Sequence, residues 1–221
     1  MQRIPIFFII FFNFNSAIFI RAQDLQRLEI RYPLPMYVGT PKDMKVERLE
    51  KTWELNRPVF YVPEGTYNVA QNKWIVSTGE APVIGDLELI NDGDKEGMEG
   101  SYVELSPGQQ YITIDLELPC YIYAIAVWHY HSKARVYYDV IVQISDDPDF
   151  IIGVQTLFNN DYDNSSGYGA GKDLNYIETS EGRLIDGRGF KSRYVRLHSN
   201  GNTDNDLNHY TEVEIYGKPA D

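Results

Sequence analysis

The chain has 221 residues, with 20 basic and 32 acidic side chains and a formal charge of −12. That acid excess argues against nucleic acid and anionic membrane as partners, since phosphate recognition rests on Lys and Arg; it is compatible with neutral ligands and with divalent cations. The 17 tyrosines, 17 glycines and 11 prolines favour strands and turns over helices, and the length is enough for one β-sandwich with a full core.

Residues 1–22 read as a signal peptide: Arg3 precedes the apolar run Ile4 to Phe12, and Ala22 offers a small residue for cleavage before Gln23. Asn13 and Asn15 interrupt the run and make it a poor membrane span, an uncleaved anchor being the alternative. The expectation is an exported protein, whether secreted, periplasmic or at the cell surface. Cleavage removes Arg3 and Arg21 and no acid, leaving 18 basic against 32 acidic residues, a charge of −14. Cys120 is the single cysteine, so no intrachain disulfide can form.

Residues 23–67 differ in kind. Pro33, Pro35, Pro41, Pro58 and Pro63 punctuate them, and no period of two is sustained. The expectation is an extended leader docked on the main domain, with a short helical turn at Val46 to Trp53, because Tyr32, Leu34, Met36, Tyr37 and Val59 to Val62 need apolar cover.

Residues 68–218 carry strand signals at short spacing: Val69 to Thr78, Leu87 to Ile90, Tyr111 to Leu118, Phe150 to Phe158, Tyr176 to Thr179, Arg193 to Ser199 and Tyr210 to Tyr216. In Tyr111 to Leu118 the apolar Ile112, Ile114, Leu116 and Leu118 alternate with Thr113, Asp115 and Glu117, as in a half-buried strand. The stretch Tyr121 to Ser145 is the most β-rich. Its first run is apolar on both faces, its second alternates, and the polar break Ser132-Lys133-Ala134-Arg135 between them predicts a hairpin. His129, Tyr130, His131, Lys133 and Arg135 would then decorate its tip. The fold class expected is all-β, an antiparallel sandwich.

Taken in order, Asn68-Val69-Ala70, Asp92-Gly93-Asp94, Tyr111 to Leu116, Ile122 to Ile125, Val140 to Ser145, Arg193 to Leu197 and Glu212 to Gly217 resemble the discoidin (coagulation factor 5/8 type C) domain, a galactose-binding-like jelly roll. The likeness covers residues 68–217 and is strongest to exported bacterial members with the loop Asn200 to Tyr210. It implies a non-catalytic module that binds glycans or other surface ligands through loops at one end of the sandwich. It also implies one structural calcium held by a turn aspartate, here Asp92, and a glutamate on the last strand, here Glu212, with Asp94 a looser match. The chain departs from the family after the Asp-Gly turn, where the usual tryptophan is missing and the segment Asp94 to Tyr102 stands instead.

Neutral sugars need a flat apolar face and a few fixed donors and acceptors. Tyr130 and His129 would supply the face, and His131, Arg135 and an asparagine such as Asn160 or Asn208 the hydrogen bonds. His129 and His131, two apart on a strand, with Asp139 form the alternative of a zinc pair, for which the spacing offers no further ligand. The polar segment 159–171 resembles a calcium loop superficially, but Ser166 stands where that loop requires glycine and Lys172 where it requires glutamate. It reads as a long functional loop beside the ligand end. The sequence holds no Gly-x-Ser-x-Gly, phosphate loop, dinucleotide fingerprint or His-Glu-x-x-His. Three functions therefore stand: a carbohydrate-binding module, a cell-surface or complex-assembly domain with no sugar site, and a metal-dependent enzyme as the minority reading.

Overall fold

The computed structural model describes residues 24–37, 44–51, 59–79 and 81–220. The proposed signal peptide lies outside them. The strands in chain order are β1 (Leu25–Arg27), β2 (Tyr61–Pro63), β3 (Tyr67–Asn68), β4 (Trp74–Ser77), β5 (Val103–Leu105), β6 (Gln109–Trp128), β7 (Ile141–Ser145), β8 (Gln155–Asn159), β9 (Arg183–Asn200), β10 (Asn208–Tyr210) and β11 (Glu212–Pro219). Every pairing between them is antiparallel, and the arrangement is a β-sandwich.

Two long strands, β6 and β9, organise it. The first part of β6, through Asp115, pairs with β4 and with Tyr194 to Asn200 of β9; the second part, from Cys120, pairs with β11 and with the earlier part of β9. Between the two parts the register breaks. Glu117 turns into the left-handed region (φ 69°), and its amide donates to Asp115 Oδ1 at 2.7 Å. The alternation seen in Tyr111 to Leu118 thus continues, past this bulge, into Tyr121 to Trp128 as one strand. A second register shift, between Ile122 and Ala124, lies opposite Gly187 of β9, where a Cβ would sit 2.5 Å from the Ile122 carbonyl oxygen, so only glycine fits.

Alternation then sorts the side chains into two clusters. Ile112, Ile114, Ile125, Val127, Val142, Ile144, Val195, Leu197, Val213 and Ile215 belong to the main core. The opposite face of β6 and β11 presents Ala124, Ala126, Trp128 and Tyr216, and Leu28 and Val62 pack against these from β1–β2 and its flanks. The central strands are buried on both faces for this reason, and each fully buried aliphatic side chain contributes roughly 1.5–3 kcal/mol.

Five sequence expectations are corrected. Leu87–Ile90 is a single 3-10 turn with only Ile90 buried, because four residues are too few to separate strand from helix by periodicity. Tyr176 to Thr179 forms no strand, and β8 begins only at Gln155. Glu47 and Arg48 form a turn with no helix among the described residues around it. The hairpin is absent: β7 pairs with β8 and β9, and not with β6. Residues 129–140 instead form a long connection across the end of the sandwich.

Candidate ligand-binding site

That connection turns inward. His129 and His131 are both fully buried, where the hairpin reading had them at an exposed tip. His129 Nδ1 lies 2.6 Å from Glu178 Oε1, and its ring stacks on Tyr137 at 4.4 Å. His131 Nε2 bonds the Lys95 carbonyl at 2.7 Å, with Gly97 folded closely against the ring. Ser132 Oγ donates to the Gly97 carbonyl. The physical reason is the loop stack itself: segments folded over a strand end bury backbone carbonyls, and the imidazoles and hydroxyls of the connection meet them. One ring nitrogen of each is engaged in this way, while His129 Nε2 and His131 Nδ1 have no partner; among the described residues Asp139 gathers with Asp161 and Asp163 and not with the two histidines.

The two asparagines are also interior. Asn160 Oδ1 accepts from the Val140 amide at 2.7 Å. Asn208 Oδ1 accepts from the Gly201 amide at 2.8 Å, and its Nδ2 donates to the Ser106 and Gly108 carbonyls at 2.9 and 2.8 Å. These bonds use the polar capacity of Asn208 to staple loops together.

Tyr130 and Arg135 reach a partly open cluster. The rings of Tyr102 and Tyr130, both half-buried, meet edge to face with centroids 5.0 Å apart. His209 lies 5.8 Å from Tyr102 and 5.9 Å from Tyr130. The Arg135 guanidinium sits 4.7 Å over the Tyr130 ring and its Nε lies 3.1 Å from Asp204 Oδ2, an ion pair at an angle that leaves Nε and Nη1 without a hydrogen bond. Arg135 is itself largely buried, so it braces Tyr130 and Asp204 more than it faces solvent.

The sequence reading did not assign Tyr102, Glu104, Asp204 or His209 to the site. Pairing of β5 with β10 sets His209 opposite Glu104, and His209 Nε2 lies 3.0 Å from Glu104 Oε2. Its Nδ1 lies 3.0 Å from the Tyr137 hydroxyl. A neutral imidazole fits both bonds: Nε2–H donates to the carboxylate and Nδ1 accepts from the hydroxyl. Burial, then the nearby charges of Arg135 and His129, hold the His209 pKa down to about 4, outweighing the carboxylate beside it. The hints in the sequence were the aromatic Tyr102 before the alternating Val103-Glu104-Leu105 and the polar loop Asn200 to Tyr210.

Asp92, Asp94 and Glu212 do not converge as a group of three carboxylates among the described residues, though Glu212 reaches the Asp92–Asp94 turn through Gly93. Asp92 Oδ1 accepts from the Asp94 amide at 2.8 Å. Asp94 spends its oxygens on the Glu96 amide at 3.0 Å and the Ser101 hydroxyl at 2.8 Å. Glu212, fully buried, accepts from the Gly93 amide at 3.1 Å through Oε2, while Oε1 has no partner. Burial, opposed by that amide and reinforced by Glu214, pushes the Glu212 carboxyl up to about 9.

Among the described residues, the carboxylates that do converge are Asp139, Asp161 and Asp163, within 4.8 Å of one another. Their oxygens already accept bonds: Asp161 from the Ser165 and Ser166 amides at 3.0 Å each, and Asp139 from Asn200 Nδ2 at 2.8 Å. The segment 159–171 is thereby tied down as a loop closed on its own acids.

No family model matches the chain, and no curated protein matches it. Solved structures are similar to it in part. A fucose-binding module from Streptococcus pneumoniae shares 18% identity over 68% of this chain and 97% of its own, with a TM-score of 0.47. Chitosan-binding module 1, derived from a chitosanase/glucanase of Paenibacillus sp. IK-5, shares 16% over 68% of this chain and 99% of its own, with a TM-score of 0.46. A family 89 glycoside hydrolase from Clostridium perfringens shares 18% over 69% of this chain but only 15% of the enzyme, with a TM-score of 0.49.

Proposed function

We propose that the domain is an exported, non-catalytic module that binds neutral carbohydrate at the end of the sandwich where Tyr102 and Tyr130 meet. The observation that carries this reading is that pair of half-buried tyrosine rings, held 5.0 Å apart and ringed by Arg135, Asp204, Glu104 and His209. Tyrosine faces cover the C–H patches of a sugar, and the rim carboxylate of Asp204, whose side chain is 43% exposed, accepts its hydroxyl protons. The charge of −12 disfavours polyanions. Export is supported by Arg3 and the apolar run that follows it. The His129–Glu178 pair has the chemistry of a general acid–base dyad, yet both side chains are enclosed, so it meets no substrate. A panel of neutral oligosaccharides tested against the parent protein and against Tyr102 and Tyr130 variants decides the reading.

One observation favours the second reading, an assembly domain. At the other end of β7, Ile151 and Ile152 are 80% and 71% exposed, and Asp147 Oδ2 accepts from both their amides at 2.9 and 3.1 Å. Ile152 also borders a cavity of about 440 Å³ with Ile144, Pro148 and Lys191. A fixed, solvated isoleucine pair suits a protein contact.

A further inference from the structure

We infer that this chain neutralises the acidic outer face of β11 with its own lysine, Lys95, where the family would place a divalent ion. The register of β11 on β6 sets Glu212 opposite Trp128 and Glu214 opposite Ala126. Alternation sends Val213 and Ile215 into the main core, so Glu212, Glu214 and Tyr216 rise together on the other face. That face is buried, with Glu212 fully enclosed and Glu214 at 7% exposure. Two carboxyl groups there require a counter-charge or a proton.

Lys95 brings the charge. Its Nζ lies 2.7 Å from Glu214 Oε1, with side-chain exposures of 10% and 9%, and 5.2 Å from the Trp128 ring, a face that also attracts a cation. The other Glu214 oxygen accepts from the Tyr216 hydroxyl at 2.5 Å, so the carboxylate is bonded on both sides. The loop that delivers Lys95 is fixed from the opposite side: its carbonyl accepts from His131, and the Gly97 carbonyl from Ser132. Asp92 and Asp94 are meanwhile committed to their own turn. The loop holds an ammonium over Glu214 and Trp128, and the Gly93 amide of the turn before it donates to Glu212 Oε2.

The experiment is a set of thermal melts on the full chain, with elemental analysis of protein purified without chelator. The parent is expected to carry no stoichiometric calcium and to melt at the same temperature in excess chelator and in excess calcium. An ion bound at a hundredfold its Kd would raise the Tm by roughly 5 °C or more. Lys95→Met is expected to lower the Tm by roughly 10 °C, because it strands Glu214 in a buried site. Adding Glu214→Gln to that variant should restore a good part of the loss. One calcium per chain, or a parent Tm that falls with chelator, overturns the inference even if Lys95→Met fails to fold. A Lys95→Met protein as stable as the parent, or a double variant no better than the single, overturns it as well.

Discussion

His129 Nδ1 stands 2.6 Å from Glu178 Oε1, and solvent reaches neither side chain. The pair ties the connection after β6 to the segment before β9, where the Glu178 amide also donates to the Arg135 carbonyl at 2.8 Å. Tyr137 stacks on the imidazole, and the Tyr37 hydroxyl donates to the Glu178 carbonyl. One buried hydrogen-bonded pair therefore holds the floor on which Tyr130 and Arg135 rest.

Removing one partner of such a pair leaves the other charged or unbonded in a dry site. Glu178→Ala should cost about 3–5 kcal/mol of stability, read as a lowered urea midpoint at unchanged slope. A variant within about 0.5 kcal/mol of the parent, the scatter of ordinary surface changes, would show that the pair contributes nothing net.

The leader also carries a stability prediction. Val62, fully buried, packs with Ala124, Ala126 and Trp128. Val62→Ala should cost about 2 kcal/mol, from two lost carbons at about 0.8 kcal/mol each plus the cavity left behind. The Tm should fall by roughly 4–8 °C. No change on melting would mean that the leader lies on the sheet without stabilising it.

Much of this was legible beforehand, and the misses have identifiable causes. The strict alternation of Ile112, Ile114 and Leu116 marked a strand that exists, because a half-buried strand writes its burial at period two. The proposed hairpin failed because β7 finds its partner in β9, 57 residues away by the pairing of Ile141 with His198, and no local signal records that choice. The same limit hid part of the candidate cluster. Glu104 and His209 meet only through the β5–β10 pairing, and Asp204 reaches Arg135 only because the loop after β9 folds back. Tyr130 and Arg135, an aromatic and a cation in a polar break, do lie together, 4.7 Å apart. His129 and His131 were placed on the rim because sequence cannot say whether an imidazole faces a ligand or a buried carbonyl.

Two buried histidines set the acid limb of stability. Burial, then the charge of Arg196, lowers the His198 pKa to about 4, and His209 is lowered to about 4 as well. Both are neutral in the folded chain at pH 7, while the unfolded chain takes up protons near pH 6.5. Their contribution is therefore present above about pH 6.5 and is lost as the pH falls towards 4, on the order of 3 kcal/mol each. Melts between pH 7.5 and 4 should show the Tm dropping across that window, less steeply for a His209→Gln variant. A Tm flat from pH 6.5 to 4.5 would contradict these depressed values.

The most direct measurement is neutral-glycan binding by the parent and by the double variant Tyr102→Ala with Tyr130→Ala, on an array and then by calorimetry with the strongest hit. Exposed aromatic faces that stack on a ligand contribute about 0.5–1.5 kcal/mol each, so two together should account for roughly a tenfold loss or more. The account predicts that the parent binds at least one neutral oligosaccharide and that the double variant loses tenfold or more while still folding. A parent that binds no neutral glycan, or a folded double variant that binds as well as the parent, would contradict it.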